Sequence, residues 1–142
     1  MAPFIVQVVV TLVARLAVPW RRAIRIGLVA LFLFTGASHF SSLKHDLAAM
    51  IPPPLTGQLW LIYVTGVLEI AGAIGLLVPT LRRTAAWSLA LMLVGLFPAN
   101  VYAALAGVTL GGSAATNLWV RTPLQVFWIA LLVWDARRTG ET

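Results

Sequence analysis

The chain has 142 residues, of which 61% are hydrophobic and only 10% charged, with a formal net charge of +6. Soluble domains run to roughly 45–50% apolar and about 25% charged, so one domain of this length has far more apolar surface than it can hide from water; an integral membrane protein is expected, with the lipid bilayer as its solvent. Cysteine is absent, which excludes disulfides, CxxC redox motifs and thiolate metal sites, and the arginines come as short clusters flanking apolar runs, a membrane-orientation signature that argues against nucleic-acid binding.

In chain order, the first apolar segment runs from Phe4 to Val18, short of the roughly 20 residues that span a bilayer. Gln7, Thr11 and Arg15 recur every fourth position in it and form one helical stripe, which can lie along the membrane interface or face a bundle. No basic n-region or small-residue cleavage site marks this stretch as a removed signal peptide. Pro19, Trp20 and the arginines at 21, 22 and 25 mark a membrane boundary, after which Ile24 to about Phe40 reads as a spanning helix. "SSLKHDLAAMIPPP" predicts a short surface helix stopped by Pro52, Pro53 and Pro54. Leu55 to Leu77 is the next span, closed by Pro79, Arg82 and Arg83. Thr84 to Leu105 follows, interrupted by Pro98; a loop, "GVTLGGSAATN", comes next. The last span starts near Thr122, a candidate N-cap with Pro123 at the first helical position, and ends near Trp134.

Three arginine clusters, before the first strong span, between the second and third, and after the fourth, fall on one side if these four spans alternate. The positive-inside rule makes that side cytoplasmic, the C-terminus included, in a multi-pass protein of the cell (inner) membrane.

Within this apolar chain a few polar groups stand out. Glu69 lies roughly 18 Å along its span, close to mid-membrane. A carboxylate there is costly unless it faces the bundle, so it serves either to fix helix register or to do chemistry. Thr65, Gly66, Gly72 and Ala73 flank its face and permit either close helix packing or room for a ligand. His39 ends the first strong span with Thr35 and Gly36 one turn below; an imidazole there is an interfacial hydrogen-bonder or a proton exchanger. Pro98 frees a carbonyl near Val94 beside Asn100, as a kink with an interhelical amide clasp or as an opening in the bundle. His39, Asn100, Arg121 and Gln125 map to the outer half, with Glu69 deeper; a shared pocket is expected there, with a direct Glu69–Asn100 hydrogen bond. His39, His45 and Asp46 are too irregularly spaced for a metal site, and none is expected.

Taken in order, "GASHF", "MIPPP", "TGVLEIAGAIGLLVP", "FPANVYAA" and "RTPLQ" resemble the DoxX-like membrane proteins over roughly Ile24 to Asp135. The resemblance implies a four-helix membrane bundle with matching polar positions at His39, Glu69, Asn100, Arg121 and Gln125. It also implies a link to quinone-dependent redox complexes, although without cysteine this chain departs from the thiol-redox members of the wider group.

The expected fold is thus an all-α membrane protein: an N-terminal hydrophobic helix at 1–20, interfacial or a fifth span, a four-helix transmembrane bundle at 21–138, and a polar tail at 139–142. The expected function is an accessory or redox-associated subunit that binds a lipophilic molecule such as a quinone, alongside a membrane or redox partner protein. Glu69 and His39 would carry the chemistry, and Asn100, Arg121, Gln125 and Thr65 would bind the ligand. Two alternatives remain open: a stand-alone membrane enzyme doing acid–base isomerisation or cyclisation of an apolar substrate, and a small transporter or assembly factor.

Overall fold

A backbone surrounded by apolar side chains has to satisfy its own hydrogen bonds, and each long apolar run here does so by closing into a helix. The computed structural model describes residues 1–114 and 116–138; the polar tail expected at 139–142 lies outside the described residues. The architecture is all-α: α1 (Ala2–Arg15), α2 (Trp20–Ser38), the short α3 (Lys44–Ala49), α4 (Leu59–Leu77), α5 (Arg82–Leu105) and α6 (Leu118–Arg138), with a two-stranded hairpin of β1 (Thr109–Leu110) and β2 (Ser113–Ala114) between α5 and α6. Among these, α4 and α5 are long and apolar enough to cross a membrane. Helices α2 and α6 carry arginines within their own bounds, which dilutes their apolar character.

Helix α2 packs against both α1 and α4, α4 against α5, and α5 against α6. Phe4 of α1 meets Phe127 of α6 edge-on, so α1 sits between α2 and α6. The stripe of α1 faces the bundle: Gln7 and Thr11 are buried, and the Gln7 Oε1 accepts a 3.0 Å hydrogen bond from Trp128 Nε1. Arg15 leaves the stripe and stays exposed. Gly27 makes this contact possible, since a Cβ there would fall 1.9 Å from Thr11 Oγ1 and 2.9 Å from the Gln7 carbonyl oxygen.

The core occupies one end. It gathers Leu28 of α2, Ala73 and Leu76 of α4, Ala86 and Leu89 of α5, and Leu132 and Ala136 of α6. Alanines and glycines at these contacts let the helix backbones approach closely. At the same end Arg25 clasps the buried Asp135 with two hydrogen bonds, Nη2 to Oδ1 at 2.6 Å and Nε to Oδ2 at 3.1 Å, tying α2 to α6. Arg82, at the start of α5, lies within electrostatic reach of Arg22, Arg25 and Asp135.

The second half of the chain departs from the sequence reading in its local structure. Helix α6 begins at Leu118, not near Thr122: Asn117 caps it, its Oδ1 accepting from the Trp119 backbone N–H at 3.0 Å, and Pro123 sits inside the second turn. Asparagine is as good an N-cap as threonine, and being nearer the preceding loop it sets the start. Helix α5 runs through Pro98 to Leu105 without a break, because one missing N–H is tolerated when neighbours satisfy the turn. The loop after it contains the β1–β2 hairpin, turned by Gly111 and Gly112 at φ of 60° and 78°. Asp46 Oδ2 accepts from the Gly111 N–H at 2.8 Å, which pins the hairpin to α3.

Candidate ligand-binding cavity

Opposite the core, the helices enclose a cavity of about 540 Å³. Its walls are the C-terminal half of α2, the N-terminal half of α4, the C-terminal half of α5 and the N-terminal half of α6, and the Pro52–Pro53–Pro54 segment covers part of it. Thr65, Glu69, His39, Asn100, Arg121 and Gln125, the six residues singled out in the sequence, all line it. Around them the lining is largely aliphatic, with Leu31, Phe32, Met50, Ile51, Leu93 and Leu96.

The α2–α4 wall is built by two glycines. A Cβ on Gly66 would lie 2.6 Å from the His39 Cβ, and one on Gly36 2.8 Å from Ile70 Cγ1 and 3.2 Å from the Gly66 carbonyl oxygen. Only hydrogen at both positions lets α2 and α4 come this close, and the approach sets Thr35 and His39, four residues apart on one face of α2, against Glu69. Thr35 Oγ1 donates to Glu69 Oε2 at 2.5 Å, and His39 Nε2 stands 3.7 Å from Glu69 Oε1. Both Glu69 and His39 are buried.

The tautomer of His39 follows from its neighbours. Nδ1 lies 2.9 Å from the Ile62 carbonyl oxygen, which can only accept, so Nδ1 carries a proton and donates it. Thr65 Oγ1, 3.0 Å from Nδ1, shares that contact. Nε2 is left facing Glu69 at a distance too long for a direct hydrogen bond and too short to admit an atom between the two. Both residues line the cavity, so the pair can hold a proton and pass it to a group that approaches from there.

The α5–α6 wall is an amide clasp. Asn100 Nδ2 donates to Gln125 Oε1 at 3.0 Å, and Gln125 Nε2 donates to the Leu93 carbonyl oxygen in the turn below Pro98. This corrects the expected Glu69–Asn100 hydrogen bond. Helix α4 reaches α5 around Gly72 and Leu89, and Gly75 and Ala85, in the core half; Asn100 lies beyond that contact, and the nearest polar neighbour of Glu69 comes from α2. The guanidinium of Arg121, one turn before Gln125, makes no hydrogen bond or ion pair among the described residues. No three His, Cys, Asp or Glu side chains converge on a possible metal position among the described residues.

Two participants escaped the sequence reading. Thr35 is placed there only as a neighbour of His39, although its spacing of four on the same face already puts it beside any partner of His39. The Arg25–Asp135 pair also went unseen, although an acid near the end of the last apolar run, on the arginine-rich side, is a signal for an ion pair.

Fold and site together define an all-α helical bundle, closed at one end and hollowed at the other by a cavity with an apolar lining and a small polar set. The chain belongs to the family described as a domain of unknown function (DUF8561), which matches residues 28–137 and so includes all six cavity residues. No curated protein and no solved structure matches the chain.

Proposed function

We propose that this chain is an integral membrane protein, a bundle of four transmembrane helices (α2, α4, α5 and α6) flanked by α1, that takes up a lipophilic molecule from the bilayer and presents its oxygen-bearing head to Glu69 and His39. Membrane embedding is supported by the inverted character of the helices. In α1 the buried residues are Gln7 and Thr11, whereas Leu12, Val13 and Leu16 are 57%, 63% and 88% exposed. Val67, Leu68 and Ile74 of α4 and Leu91 and Val94 of α5 are likewise exposed. An outer surface this apolar suits lipid, not water. The arginines brought to the core end orient that end to the cytoplasm by the positive-inside rule, and the cavity opens toward the other side.

The observation that carries ligand binding is the gap between His39 Nε2 and Glu69 Oε1 in the wall of an otherwise apolar cavity. Buried polar groups normally consume one another's hydrogen bonds. These two stop short of doing so. The cavity lies within the 300–1,000 Å³ range, order of magnitude, usual for small-molecule sites, with the usual few polar groups in an apolar lining. Quinones are members of this ligand class, which is where the DoxX-like resemblance fits the reading as an accessory or redox-associated subunit.

Gentle purification of the full chain, followed by native mass spectrometry and organic extraction, tests the proposal. A lipophilic molecule should travel with the wild-type protein and be lost from Glu69→Gln at unchanged helical content. Equal retention by both proteins would remove Glu69 from the site and sink the reading.

A further inference from the structure

We infer that the molecule held in the cavity is an amphiphile whose head group, besides the oxygen presented to Glu69 and His39, carries a negative charge, and that Arg121 pairs with that charge. The inference rests on the binding reading above and adds a charge to it. Among the described residues lining the cavity, Arg121 is the only lysine or arginine and Glu69 the only acid. The bundle shows how it treats a guanidinium that has a partner: Arg25 holds Asp135 through two hydrogen bonds. Arg121 has no such partner among the described residues.

Glu69 does not supply the missing charge. One of its oxygens accepts from Thr35 and the other faces His39 Nε2. No ion pair joins Glu69 to Arg121 among the described residues, and the positive charge of Arg121 is left over. Its position adds to the imbalance. Arg121 belongs to the N-terminal part of α6, where the backbone dipole is already positive, and the first turn contains no acidic residue to offset it. A half-buried cation at a helix N-terminus beside an apolar cavity gains from an anion brought alongside it.

The guanidinium is a planar fork that matches a carboxylate or a phosphate oxygen pair with two parallel hydrogen bonds. Beside it the cavity offers Leu93, Leu96, Leu124 and Met50 to a hydrocarbon chain. A singly charged head on one chain meets both requirements. The carboxylate of a fatty acid and the phosphodiester of a lysophospholipid are its two sources, and a neutral quinone leaves Arg121 unpaired.

The test is a native mass spectrometry titration of the full chain in neutral detergent with four probes: palmitate, lysophosphatidylglycerol, hexadecanol and decylubiquinone. At least one anionic probe should occupy the protein about tenfold more tightly than hexadecanol and decylubiquinone, and whichever binds better names the source. Arg121→Gln should lower anionic occupancy to the hexadecanol level and leave hexadecanol unchanged, and Arg121→Lys should keep most of the preference. Hexadecanol binding as tightly as both anionic probes, or a preference untouched in Arg121→Gln, overturns the inference while the cavity reading stands. Binding of none of the four overturns both. Should Arg121→Gln fail to fold, the wild-type comparison of the anionic probes with hexadecanol decides.

Discussion

The two ends of this bundle are made by the same four helices and behave as different materials. At the arginine-bearing end, Leu28, Leu76, Leu89 and Leu132 are fully buried among alanines and glycines, and the charged residues that enter, Arg25 and Asp135, are paired. At the other end the same helices carry threonine, histidine, glutamate, asparagine and glutamine on their inner faces, and the space between them stays open. Small side chains in the core let the helices close; at the other end the polar side chains take up their hydrogen bonds within the α2–α4 and α5–α6 pairs, and the space between the two pairs stays open. On the proposed reading, stability is concentrated at one end and recognition at the other. Variants in the two ends should separate these properties.

The largest effect is expected from Asp135→Ala. It leaves the Arg25 guanidinium without its buried partner and should cost about 3–5 kcal/mol, read as a lowered midpoint in a detergent-unfolding titration. Ligand affinity in the fraction that remains folded should be unaltered, and a loss of binding without loss of stability would dissolve the division between the ends.

Gly66→Ala tests the helix contact that builds the cavity wall. The new Cβ would stand 2.6 Å from the His39 Cβ, so α2 and α4 must separate; overpacking of this kind costs about 1–3 kcal/mol. It should also carry His39 away from Glu69, so this variant alone is expected to lose both stability and binding.

Asn100→Ala removes the donor to Gln125 Oε1 and should cost about 1 kcal/mol, in keeping with a single net hydrogen bond. Thermal unfolding of Asn100→Ala, Gln125→Ala and the double variant gives the coupling directly. Additive losses would mean that the clasp contributes no joint stabilisation.

The smallest effect on stability and the largest on recognition is expected from Glu69→Gln. The glutamine oxygen can still accept from Thr35, so the loss of stability should stay below the roughly 1 kcal/mol of a single net hydrogen bond, whereas proton exchange with a bound head group is abolished. A drop in stability comparable to that of Asp135→Ala would make Glu69 a structural acid and move it to the other side of the comparison.

Much of this was legible in the sequence because the period of apolar residues and the proline and glycine punctuation are local signals. They place α4 and α5 to within a few residues of their observed bounds. They also mark the stripe of Gln7 and Thr11, though not which way it faces, and the choice of Glu69 as the residue to explain. Local signals failed where two competed: Thr122–Pro123 and Asn117 are both sound starts for α6, and the chain uses the asparagine. Composition determined that this protein is helical and apolar on its outside, since both follow from what each residue does to its own few neighbours. Which polar groups meet was decided only by tertiary structure. Glu69 meets Thr35 and faces His39, and not Asn100, because two glycines on different helices remove the side chains that would keep α2 and α4 apart. A close approach of two backbones depends on both surfaces at once, and no stretch of sequence contains both.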